Sequence, residues 1–83
     1  MATVKLKGSE INLASATNVG FATVVRVVNN KTSVQVITHK NAGGDVLGTF
    51  TMTAGSVELV EKVSTDTLTG AATSLAVKVA YTK

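Results

Sequence analysis

The residues best suited to chemistry lie in one short stretch, "THKNAGGDV", which covers residues 38–46. The stretch holds the single histidine of the chain and, after it, a lysine, an asparagine, two glycines and an aspartate: His39, Lys40, Asn41, Gly43, Gly44 and Asp45. Such a set of residues suits three roles. It can supply a general base, it can cradle an anion between a lysine and glycine amides, or it can form the bend of a hairpin.

The pattern around this stretch favours the hairpin bend. A general base needs a nucleophile or a bound water and an orienting partner. Asp45 can approach His39 across a hairpin, but no serine or cysteine motif accompanies the pair, so His39 is predicted to face solvent at a strand end. A phosphate loop of the Walker type has its lysine after the glycines, at the start of a helix, whereas Lys40 precedes them and a strand pattern follows. A hairpin bend can still contact a ligand.

Composition limits the classes of protein to be considered. A chain of 83 residues forms one domain, covering residues 1–83. With no cysteine and one histidine it has no disulfide and no conventional structural zinc site, and we expect no cofactor. No apolar run approaches the roughly 20 residues that span a bilayer, and no signal-peptide pattern is found at the start. We therefore expect no membrane partner and a soluble protein, intracellular or packed in a particle. The net charge of +3 is compatible with a polyanionic ligand.

The elements that must position this stretch are predicted to be strands. Valine and threonine, which are β-branched and favour strands, dominate the sequence. Five strand-like runs cover residues 21–28, 33–39, 46–53, 56–62 and 75–81; the first has valines on both faces, and the other four alternate. We expect tight turns at 29–31, 39–45 and 54–55. Residues 3–6 alternate briefly, while 11–18 are compatible with an irregular segment or a short helix. The prediction is an all-β sandwich or small barrel.

Other charged residues are given structural roles. Arg26 lies in an apolar strand and must reach solvent or pair with a carboxylate, either in its own chain or from a neighbouring subunit. Glu58 and Glu61 are three residues apart on a strand, so they point to opposite faces and do not form an acid–base pair. Asp66 is expected to cap a turn. An enzyme is not expected, because no set of nucleophile, base and oxyanion donor can be named.

Several segments together resemble a known group of proteins: "ATVVRVVNN", "TSVQVITHK", "GTFTMTAGSVELVEK", "STDTLTG" and "LAVKVAYTK". They are similar to small β proteins that are abundant in marine metagenomes and associated with cyanophages, and "GTFTMTAGSVELVEK" followed by "TDTL" is the most specific part. The resemblance implies a five-stranded Sm-like (SH3-type) barrel that assembles as a ring and binds nucleic acid. It also implies that the loops at residues 39–45 and 64–74 face the pore.

Two functions are therefore expected, and both are non-enzymatic. The first is a ring-forming small β-barrel of phage origin that binds RNA or single-stranded DNA weakly. Its nucleic-acid-binding residues are predicted to be His39, Lys40, Asn41, Gly43 and Gly44. The alternative is a virion structural or decoration protein whose edge strands serve assembly alone. In both, the main partner is a second copy of the chain, with a pentamer slightly preferred and the fourth strand pairing with the fifth strand of the next subunit.

Overall fold

A computed structural model describes the backbone of residues 3–82 and the side chains of residues 4–80. Eight strands are present: β1 Thr3–Leu6, β2 Ile11–Asn12, β3 Val24–Asn29, β4 Gln35–Lys40, β5 Val46–Met52, β6 Val57–Glu61, β7 Thr67–Thr69 and β8 Ser74–Thr82. Residues 3–82 contain no helix, so the all-β prediction is confirmed and the option of a short N-terminal helix is not observed. The part of the chain described here thus offers no helix of a length and apolarity that could cross a membrane.

The strands form two antiparallel sheets. The larger sheet has the order β1-β8-β3-β6, with β2 also paired to β8, and the smaller has the order β5-β4-β7. In β3 the residues alternate between half-buried and fully buried, and Val25 and Val27 point into the protein. They meet Ile37 from β4 and Met52 from β5, all less than 2% exposed. One apolar layer between two sheets is the arrangement that buries one face of each.

The expected turn at 54–55 is present, but the hairpin expected at 29–31 is not, and neither link joins two paired strands. Because β3 pairs with β6 and β8, while β4 pairs with β5 and β7, the links at residues 29–31 and 54–55 cross between the sheets. The physical reason is Asn29, which is fully buried. Its side-chain amide donates to the carbonyl oxygens of Ser33, Met52 and Thr53 at 3.0, 3.0 and 3.1 Å. Asn29 therefore joins the two crossover links by hydrogen bonds and does not form a hairpin turn.

The N-terminal segment closes the other side of the smaller sheet. Leu13 is fully buried, and the backbone of Thr17 bridges to Leu68 in β7 through hydrogen bonds of 2.9 and 3.1 Å. The edge of β7 is covered in this way. Two strands at the ends of the larger sheet, β1 and β6, pair with no further strand in residues 3–82.

Candidate functional site

The predicted bend is a hairpin bend. β4 pairs with β5, and residues 41–45, hereafter the β4–β5 bend, connect them. The backbone amide of Asn41 donates to the Asp45 carbonyl oxygen at 2.9 Å, and the Asn41 Oδ1 accepts from the Asp45 amide at 3.0 Å. Gly44 has a φ of 89°, a conformation that glycine adopts without strain. The hairpin interpretation is confirmed, and the polar groups of Asn41 are engaged within the bend.

His39 is not at a solvent-facing strand end, so that prediction is wrong. Its Nε2 lies 2.9 Å from Oδ2 of Asp66, and the two side chains are 22% and 8% exposed. The partner is Asp66 and not Asp45 because β4 pairs with β7, opposing His39 to Leu68 and bringing the residue before β7 alongside. Asp66 also accepts the backbone amide of Val63 at 3.3 Å, which confirms its predicted role as a turn cap.

A buried lysine completes this polar cluster. Lys62 is 6% exposed, and its Nζ donates to the carbonyl oxygens of Val63 and Ser64 at 3.3 Å each. Burial lowers the pKa of Lys62, and the negative charge of Asp66 partly opposes that effect. Within residues 3–82, His39 makes no hydrogen bond to a hydroxyl group, and no three potential metal-ligating side chains come together. The cluster fixes the loop before β7.

Of the five predicted nucleic-acid-binding residues, Lys40 alone brings a charge that has no partner nearby. Its side chain is half-buried, and no carboxylate lies within 4.0 Å of it in the described part of the chain. Pairing of β4 with β7 sets Lys40 opposite Thr67. The structure therefore brings the two loops of the sequence prediction side by side. Nucleic-acid binding at the β4–β5 bend stays a prediction, and it depends on Lys40.

Arg26 has the carboxylate partner that its apolar surroundings require. Its Nη1 lies 3.8 Å from Oε2 of Glu10, with both side chains partly exposed. The prediction of an ion pair is confirmed, and the partner comes from the same chain.

Sequence reasoning missed a groove beside β1. It has a volume of about 380 Å³ and is lined by Lys7, Gly8, Ser9, Ile11, Val19, Gly20 and Lys78; we call it the lysine groove. Val19 and Gly20 form one wall of it, and the surrounding residues 18–22 carry three successive positive φ angles, at Val19, Gly20 and Phe21. We call this segment the left-handed turn. Since Lys7 and Lys78 lie 71 positions apart, only knowledge of the β1–β8 register could have joined them.

The open edges of the larger sheet carry opposite charges. β1 has Lys5 on one face, with Val4 and the 65% exposed Leu6 on the other. In β6, Glu58 opposes the inward-facing Val27, whereas Val57 and Leu59 lie on the outer face and are exposed. Glu61 opposes Val24, so Glu58 and Glu61 are on opposite faces as predicted. A groove of about 470 Å³ separates β6 from Phe50 and Thr51 of β5, leaving space beside this edge.

Comparison with protein-family models, curated proteins and solved structures finds no match to the chain.

Proposed function

We propose that the chain is a non-enzymatic structural subunit that assembles with copies of itself, β6 of one copy pairing with β1 of the next. The observation that supports this most strongly is the complementarity of the two open edges of the larger sheet. Unpaired strand edges are templates for further pairing, and soluble proteins blunt or cover them. Here β7 is covered by the N-terminal segment, whereas β1 and β6 of the larger sheet, like β5 of the smaller one, have one side with no strand partner in residues 3–82.

The polarity of the sheet permits this pairing. Every strand contact in the sheet is antiparallel, so β1 and β3 run one way and β6 and β8 run the other. A copy placed beside β6 by a rotation about an axis along the strands offers β1 in the opposite direction. The new contact is therefore antiparallel as well, and the sheet continues from one subunit to the next.

One register of β6 against β1 of the next copy pairs complementary side chains on both faces of the sheet. If Glu58 opposes Lys5 of the next copy, then Val57 opposes Leu6 and Leu59 opposes Val4. Opposite charges then meet on the inner face, and four exposed or half-buried apolar side chains cover one another on the outer face. Cross-strand pairs of these kinds stabilise a sheet by about 0.2–1 kcal/mol each.

Head-to-tail contacts of this kind close into a ring when the rotation between copies permits it. Ring assembly with five copies, phage origin, an Sm-like barrel and a place in the host cytoplasm or the virion are the finer parts of this proposal, and they follow from the sequence resemblance. The contact itself differs from the one expected from the sequence. Residues 74–78 of β8 pair with β3 and residues 79–82 pair with β1, so β8 is not an end strand of the larger sheet, and β1 takes the role expected of the fifth strand.

Light scattering on charge variants tests the assembly. The wild-type chain should be oligomeric at about 10 µM, where an interface of micromolar affinity is largely formed. Glu58→Lys should give monomers because two lysines then face each other, and adding Lys5→Glu should restore the oligomer. Glu61→Lys, which changes the same charge on the opposite face, is the matched control and should leave assembly intact. A monomeric wild type, or Glu58→Lys that still assembles without the second change, would refute the proposal.

Weak binding of single-stranded RNA or DNA at the β4–β5 bend is a second candidate function. It is favoured by the position of Lys40, which has no acidic partner within 4.0 Å in residues 3–82 and lies beside β7. A ring would multiply this one charge by the number of copies. Lys40→Ala should then lower the affinity for an oligonucleotide and the dependence of that affinity on salt. Unchanged binding by the Lys40→Ala variant would exclude the bend as the binding site.

A further inference from the structure

The lysine groove places two positive charges side by side without compensation. The backbone amide of Lys7 donates to the carbonyl oxygen of Lys78 at 2.8 Å, so the two lysines are cross-strand neighbours, and both line the groove. Like charges opposite each other destabilise a sheet. In residues 3–82 neither lysine has a carboxylate within 4.0 Å, and Glu10, the acid closest to Lys7 in sequence, pairs with Arg26. An anion in the groove would remove this repulsion.

The left-handed turn has a strained backbone, and core packing together with a hydrogen bond from Lys78 fixes its position. Val19 and Phe21 have φ angles of 55° and 57°, a conformation that costs a residue with a side chain about 1–2 kcal/mol. Such strain persists where the surrounding structure imposes it, often at ligand sites. Here buried Val19 and Ala22 anchor the turn in the core. The carbonyl oxygen of Gly20 accepts a 3.3 Å hydrogen bond from the Lys78 Nζ and holds that ammonium group at the groove.

The same turn carries an exposed aromatic ring next in sequence to the groove. Phe21 is 62% exposed, although it is one of three aromatic residues in the chain. It directly follows Gly20, which lines the groove. Ser9 adds a hydroxyl group to the lining, and Ile11 adds an apolar surface. Two ammonium groups, a hydroxyl and an exposed ring are the groups that single-stranded nucleic-acid sites use for phosphates and for stacked bases.

We infer that the lysine groove binds the phosphate backbone of single-stranded nucleic acid through Lys7 and Lys78, with one base stacked on Phe21. The volume of about 380 Å³ falls within the range of small-ligand sites, so it accommodates one nucleotide unit. This site is separate from the β4–β5 bend. The site does not require assembly, because Lys7, Lys78 and Phe21 belong to one subunit; in the edge register proposed above Lys7 lies one residue beyond β1, opposite Ser56 of the next copy.

Fluorescence anisotropy with a labelled oligothymidylate of about ten nucleotides, a length that one small β domain can cover, tests this inference. The protein is used as the full chain carrying Glu58→Lys, so that loss of binding is distinguished from loss of assembly. Lys7→Ala and Lys78→Ala should each weaken binding about tenfold and lower the slope of log affinity against log salt by about 0.7, the value for one phosphate contact on a single strand. Lys31→Ala removes the same charge from an exposed position outside the groove and is the matched control; it should change affinity less than about threefold.

Two further measurements test whether a base stacks on Phe21 and whether the groove binds free phosphate instead of an oligonucleotide. Phe21→Ala should weaken binding at least about fivefold while leaving the salt slope unchanged, since stacking releases no counterions. Inorganic phosphate should compete no better than chloride of equal ionic strength. Equal losses for Lys7→Ala and Lys31→Ala would overturn the inference, as would a larger loss for Lys40→Ala. Displacement of the oligonucleotide by millimolar phosphate at constant ionic strength would show a free-phosphate site instead.

Discussion

The β4–β5 bend and the left-handed turn both turn the chain through residues with positive φ angles, but they place those angles on different types of residue. In each, an asparagine side-chain oxygen accepts a backbone amide: Asn41 from Asp45 at 3.0 Å, and Asn18 from Phe21 at 3.1 Å. The bend places its positive φ on Gly44 and carries no strain there. The left-handed turn places positive φ angles on a valine and a phenylalanine.

The difference shows where function is to be sought in this chain. The segment that is rich in polar residues and glycine satisfies its own hydrogen bonds and pairs its partly buried histidine with Asp66. The segment "NVGFA" contains no charged residue, yet it has a strained backbone and an exposed phenylalanine. Two of its residues line a groove with Lys7 and Lys78, which have no carboxylate within 4.0 Å in residues 3–82. The reactive and polar residues at the β4–β5 bend thus make hydrogen bonds that stabilise the fold. In the left-handed turn, by contrast, apolar residues adopt strained backbone conformations.

The largest stability effect should come from the residue that anchors the strand before the bend. Asp66→Ala should lower the free energy of unfolding by about 2–3 kcal/mol, because His39 and the Val63 amide lose a buried acceptor and Lys62 loses its nearby negative charge. Asp45→Ala, in the exposed bend, is the control and should cost less than about 1 kcal/mol. Urea unfolding measures both. Equal losses of unfolding free energy would mean that the buried cluster stabilises this end of the protein no more than the exposed bend does.

Substitutions at the positive φ angles should have opposite signs in the two regions. Gly44→Ala should destabilise the protein by about 1 kcal/mol, since alanine is strained at a φ of 89°. Phe21→Gly should stabilise it by about 0.5–1 kcal/mol, because the ring is exposed and glycine tolerates a φ of 57°. The midpoints of thermal unfolding should therefore move in opposite directions. A destabilising Phe21→Gly would show that the ring packs on the protein and is not held out for a ligand.

The smallest effect is a dependence of stability on pH that arises from Lys62. Because burial lowers its pKa in the folded state below 10.5, the unfolded chain binds the proton more tightly, and stability should rise with pH in the window between the folded-state pKa and 10.5. Lys62→Met should lack this rise. The measurement is the difference in unfolding free energy between wild type and variant on raising the pH to the alkaline side of neutral. A difference that falls with pH would contradict the assigned burial.

How much the sequence could predict depended on whether the signal was local. Alternating apolar and polar residues located four of the five long strands, a run of valines located the fifth at 21–28, and the glycine pair located the hairpin bend. Pairing was less accessible, since whether Asn29 bends a hairpin or is buried under a crossover depends on the carbonyl oxygens of Met52 and Thr53, far along the chain. The partner of His39 was missed for the same reason: the short β7 lies within what reads as a polar loop. The lysine groove required the register of strands from both ends of the sequence.

Cross-linking of β1 to β6 tests the central claim, edge-to-edge assembly, most directly. The chain has no cysteine, so a Lys5→Cys, Glu58→Cys variant carries just two thiols. Within one subunit β8 and β3 separate them by three strand spacings, about 14 Å, which is too far for a disulfide. Oxidation should give a ladder of covalent multimers on a non-reducing gel, whereas Lys7→Cys with Glu58→Cys, displaced to about 7–8 Å, should give little. Absence of the ladder, or equal ladders from both pairs, would contradict the proposed register and the assembly built on it.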